Sequence, residues 1–161
     1  MKSSQRLPLR GLAVAFVFLA VGSPVGFTQC GFPSTGSGRV IDYSFEPTIT
    51  PAGTVLHATL SFRGGLEGME EIEVPTEWAG EKLHAVTNLR ALSRGTGITE
   101  TGTSGTKTIH YPPNQAVVLG YDLIKDWTGT FVSPLQFHPV LMPQYFEING
   151  ANGLVHPKLE P

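Results

Sequence analysis

Residues 115–127, QAVVLGYDLIKDW, constrain this chain more than any other stretch. Val117, Leu119, Tyr121 and Leu123 alternate with Val118, Gly120, Asp122 and Ile124, so one face is wholly apolar and the other mixed. Period-two patterning of this kind belongs to a strand packed within a sheet. A turn at Pro112, Pro113 and Asn114 enters the run, and Asp126 and Trp127 lead out of it. The remaining segments must therefore pair with this strand or cover its apolar face.

They have the patterns to do so. Ile41, Tyr43 and Phe45 alternate with Asp42, Ser44 and Glu46, and the run is expected to stop at Pro47. After a turn at 50–53, Leu56, Ala58, Leu60 and Phe62 face in while His57, Thr59, Ser61 and Arg63 face out. Residues 70–75 form a short alternating piece with Ile72 and Val74 as its apolar members, and residues 76–80 form a turn carrying Trp78. Leu83, Val86, Leu89 and Leu92 recur every three residues, which is nearly helical. The β-branched Val86-Thr87 pair and the neighbouring strands favour an irregular strand with a bulge. The Gly- and Thr-rich residues 95–107 suit a hairpin tip with one short strand. A loop layer holding Phe131, Val132, Leu135 and Phe137 follows Trp127. Residues 145–149 are expected to be the last strand, with turns at Asn149-Gly150 and Asn152-Gly153. Seven or eight short strands with Gly and Pro punctuation, and no long helix, predict an all-β antiparallel sandwich.

The first thirty residues stand apart. Lys2, Arg6 and Arg10 precede ten uncharged apolar residues, LAVAFVFLAV. That run is too short for a membrane span, which needs about 20 residues, and suits the apolar region of a signal peptide. Residues 1–30 are therefore expected to be a signal peptide, 31–39 a flexible leader and 40–161 the β-sandwich domain. The expected location is the periplasm or the outside of a bacterium. Acylation of Cys30, which would make a lipoprotein, is less favoured because the preceding residues fit a lipobox poorly, and an uncleaved anchor is an equal alternative because no good cleavage site is present.

Removal of the signal leaves eight basic and thirteen acidic residues, a net charge of −5. That balance argues against nucleic acid, and against an anionic membrane beyond the signal segment, as partner. Cys30 is the only cysteine, so an internal disulfide and a cysteine-based metal site are excluded, and apolar burial must stabilise the domain.

No catalytic constellation is complete. The five histidines (His57, His84, His110, His138 and His156) form no His-Glu-x-x-His pair. Nor is there a Gly-x-Ser-x-Gly elbow, and Ser104 has no evident base. His138 and His156, with Glu147, would bind metal only if the fold brought them together. Glu67, Glu70, Glu71, Glu73, Glu77 and Glu81 lack the spacing of a calcium loop and suit a solvated strand edge instead. Trp78, Trp127 and Tyr145 are candidates for a ligand or partner surface, as are His138 and His156. No catalytic, cofactor-binding or metal-binding residue is assigned.

From Ile41 onward the pattern resembles the N-terminal β-domain of the glycyl aminopeptidases, a family of gluzincin metallopeptidases. The resemblance rests on the opening strands YSFEP and LHATLSF, and on the short strand into Pro75 with Trp78 and Gly80 after it. The segment ending in NLRAL, the strand VVLGYDL and the closing YFEINGANGLVHP complete it. In the family's Pro-x-Trp-x-Pro-Gly-x-Tyr pattern this chain departs: an extra residue separates Pro75 from Trp78, the second Pro is missing, and Leu83 stands near the Tyr position. The family's zinc ligands and catalytic Glu have no matching positions. The resemblance implies a fold and a relationship, not an activity; with the N-terminal segment it leads to the expectation of an exported, non-catalytic accessory or binding module with no cofactor. Its partner would be a catalytic domain, an envelope protein or a peptide. The alternatives are a truncated or split metallopeptidase, or an envelope enzyme using His138, His156 and Glu147.

Overall fold

The computed structural model describes residues 39–129 and 138–158; residues 1–38, 130–137 and 159–161, which include the expected signal peptide and the expected loop layer of Phe131, Val132, Leu135 and Phe137, lie outside them. Strand β9 (Ala116–Leu123) sits inside a four-stranded antiparallel sheet. It is flanked by β2 (Gly53–Arg63) and β6 (Val86–Ala91), with β1 (Ile41–Thr50) beyond β2. The register puts Leu60 opposite Leu119 and Ala58 opposite Tyr121, so the apolar positions of both strands share one face.

A second antiparallel sheet has the order β12 (His156–Pro157), β3 (Met69–Glu73), β8 (Thr106–His110), β7 (Gly97–Glu100). Its Ile72 and Ile109 join Leu56, Leu60, Leu119 and Tyr121 in one buried cluster. The chain is thus all-β and antiparallel, as its alternation predicts. Two ribbons complete it. In one, β4 (Glu77–Trp78) and β5 (Glu81–Lys82) are joined through Ala79 and Gly80, both at positive φ, the twist that two-residue hairpins favour. In the other, β10 (Val140–Leu141) pairs with β11 (Phe146–Glu147).

Three details differ from the sequence expectation. First, β1 runs through Pro47 to Thr50 without a break in register. Thr50 and Gly53 flank a two-residue turn, so in this ladder even-numbered β1 residues bond to β2 and odd-numbered ones face away. Pro47 falls on the outward set, where its missing N–H costs no ladder bond.

Second, residues 145–149 yield only the two-residue β11, and the Asn-Gly pairs belong to a short helix, α1 (Gly150–Gly153). Asn149 caps α1, its Oδ1 accepting from the Ala151 N–H at 3.1 Å. A Cβ on Gly153 would lie 2.3 Å from Ile148 Cγ2, so any side chain there would force Ile148 to shift.

Third, β3 is not an edge, because β12 and β8 flank it. Glu71 and Glu73 are exposed as expected, yet they pair with Lys158 (2.6 Å) and His156 (3.6 Å) across to the chain's end. Sequence spacing cannot show this, since the partners lie more than eighty residues away.

Two tyrosines, half-buried Tyr43 and fully buried Tyr121, offer a test of hydrogen bonding. Tyr43 Oη donates to the Val155 carbonyl at 2.8 Å, whereas buried Tyr121 Oη has only the Val155 backbone near it and makes no hydrogen bond of normal geometry. Burial raises both phenols above their ordinary value, so both stay neutral. Tyr43→Phe is expected to lower stability by about 1 kcal/mol, while Tyr121→Phe leaves it unchanged or raises it. Urea melts of the two variants check the contrast.

Candidate functional site

Alternation places His57, Thr59 and Ser61 of β2 on the same outer sheet face as Asp122 and Gly120 of β9. Register then sets Glu46, His57, Asp122 and Thr87 in one row across four strands. Asp122 is the row's centre. It is 8% exposed, unusual for a carboxylate on an outer face. Its Oδ1 lies 2.7 Å from His57 Nδ1, and its Oδ2 accepts from Asn88 Nδ2 at 2.7 Å. Arg90 Nη1 stands 3.8 Å from the same carboxylate and donates to the Asn88 carbonyl at 3.0 Å.

The β6 bulge makes this arrangement possible. The β6–β9 register shifts between Thr87 and Arg90, and Asn88 takes a left-handed φ of 52°, which Asn tolerates better than most residues. Beside it, Gly120 leaves room for Leu92 and Arg90 to lie over the sheet, since a Cβ there would meet Leu92 Cδ1 at 2.9 Å.

Burial pushes the Asp122 carboxyl up. The hydrogen bonds from Asn88 and His57, with the nearby His57 and Arg90 charges, outweigh it and hold the group below its ordinary value. Asp122 is therefore ionised at neutral pH, and His57 Nδ1 carries the proton between them. The His57 side chain is 41% exposed, and its Nε2 makes no hydrogen bond among the described residues. A fixed imidazole beside an arginine can donate to or accept from a polar partner. No Ser, Thr or Cys hydroxyl or thiol among the described residues is hydrogen-bonded to this ring.

The residues singled out from the sequence are dispersed. His138 Nδ1 pairs with Asp126 Oδ1 at 2.8 Å, and Asp126 Oδ2 accepts the His84 backbone N–H at 2.8 Å. With Trp127, which is buried and donates from Nε1 to the Pro139 carbonyl at 3.0 Å, this pair ties the chain after β9 back to β10. Lys125 lies over the Trp127 ring, 3.8 Å from its centroid. His156 packs against its neighbour's carbonyl, with Nδ1 3.0 Å from the Pro157 oxygen, and faces Glu73. Glu147 is exposed on β11.

His138, His156 and Glu147 thus have separate surroundings, and no group of three His, Cys, Asp or Glu among the described residues could hold a metal ion. Trp78 (39% exposed) and Tyr145 (43%) remain surface aromatics on the two ribbons, but Trp127 does not. Ser104 stays in the β7–β8 loop, exposed. The Asp122 cluster escapes a reading of spacing alone. The one available signal was a lone carboxylate near the end of an otherwise uncharged strand.

Comparison with known protein families, curated proteins and solved structures finds no match to this chain.

Proposed function

We propose that the chain is an exported, non-catalytic β-sandwich module that binds a protein or peptide partner in the bacterial envelope, related to the N-terminal β-domain of glycyl aminopeptidases. The observation that carries this reading is the Asp122 network. Both carboxylate oxygens are taken by His57 and Asn88, so the charge holds a polar sheet face in shape instead of moving protons. Asp126 is committed in the same way to His138 and the His84 amide. The two four-stranded sheets sharing one buried cluster support the sandwich assignment. The basic start, apolar run and cysteine-free mature chain support export.

The test uses protein recovered from the envelope fraction of an expressing bacterium. Intact mass is expected to show loss of about thirty N-terminal residues. The same sample should carry no stoichiometric zinc and release no amino acid from a panel of aminoacyl substrates. A full-length cytosolic species would overturn export. One zinc per chain, lost on His138→Ala or His156→Ala, would overturn the non-catalytic reading.

A further inference from the structure

Strand β1 ends its sheet: β2 pairs with it at all ten positions on one side, and among the described residues no strand pairs with it on the other. Its outward backbone groups belong to Ile41, Tyr43, Phe45, Pro47 and Ile49, and none of them has a hydrogen-bond partner among the described residues. A long free edge is a template for a further strand.

The side chains say which strand fits. Asp42 and Glu46 stand on the outer face, four residues apart, and neither has an ion-pair partner among the described residues. No basic residue lies between Ile41 and Thr50. On the opposite face Ile41, Tyr43 and Phe45 are half-buried and pack against the core, so the core is open on this side to apolar additions.

A second copy of β1 is a poor occupant. Antiparallel pairing with the faces aligned, centred anywhere from Tyr43 to Glu46, sets Asp42 or Glu46 opposite or diagonal to an acid of the other copy. Like charges so placed are destabilising.

We infer that β1 is the docking edge for an extended peptide segment of a partner protein, one that carries basic residues four apart, opposite Asp42 and Glu46, with apolar residues at the two odd positions between them. The segment adds a fifth strand. Its backbone pairs with the outward groups of Tyr43 and Phe45, and its apolar side chains extend the layer of Ile41, Tyr43 and Phe45. This rests on the binding-module reading and names the partner's chemistry.

The probe is a blocked synthetic peptide, Lys-Val-Thr-Val-Lys-Val, added to the purified chain at low salt, with backbone amide exchange followed residue by residue. The Tyr43 and Phe45 amides are expected to gain protection. A variant carrying Asp42→Lys and Glu46→Lys, both surface changes, should bind this peptide about tenfold more weakly. It should prefer the counterpart with Glu in place of Lys. Equal binding of both peptides by the wild-type chain, or protection confined to other strands, would overturn the proposal. So would Tyr43 and Phe45 amides already protected in the free monomer, or protection that rises with protein concentration alone. Each of these outcomes leaves the zinc and peptidase results untouched. Conversely, turnover of aminoacyl substrates would overturn the non-catalytic reading without changing the exchange pattern at β1.

Discussion

Leu119→Ala is expected to destabilise the protein by about 2–5 kcal/mol, the cost of truncating a fully buried leucine and leaving a cavity. Leu119 has no exposed surface, and it stands between Leu60 on β2 and Ala91 on β6, with neighbours from both sheets in the same cluster. β9 is held on both sides by paired strands, so its backbone cannot shift to fill the space. The loss is a large part of the roughly 5–15 kcal/mol that holds a domain of this size together. With Cys30 as the only cysteine, no internal disulfide limits the unfolded chain. Thr103→Ala in the exposed β7–β8 loop is the control, with a change below about 0.5 kcal/mol. Denaturant melts of both variants beside wild type measure the difference. Equal, small losses would remove β9 from the centre of the fold.

Asp122→Asn is expected to cost about 1–3 kcal/mol near neutral pH, because it removes the charge from the hydrogen bonds made by His57 and Asn88. It also leaves the Arg90 guanidinium without its nearby carboxylate. The sign of the pH dependence follows from the lowered carboxyl. A group whose folded value lies below its unfolded value stabilises fully above the unfolded value, about 3.8 here. It loses that contribution as pH falls through the still lower folded value. The gap between wild type and Asp122→Asn should therefore be widest above about pH 5 and narrow progressively as the solution is acidified below the ordinary carboxyl value. Thermal melts of both proteins across that range test it, and a gap independent of pH would mean the charge of Asp122 is not what the network uses.

Alternation by itself determined the inner faces of the long strands β1, β2 and β9. His57, Asp122 and the four apolar positions of β9 all lie on the side that a period of two assigns them, because burying one face of a strand leaves no other solution. The bulge in β6 was likewise foreshadowed by a spacing that fitted neither period cleanly, and Asn88 supplies the left-handed residue it needs.

What spacing could not decide is which strands become neighbours. Register alone sets His57 beside Asp122, sixty-five residues away, and the bulge alone turns Asn88 and Arg90 onto the same carboxylate. The tertiary arrangement also placed β3 between two partners and left β1 at the edge, where Pro47 could be carried through the strand without loss. Local sequence records what each residue prefers to bury. Pairing order depends on how whole sheets close over a shared core, and that is settled only when distant segments meet.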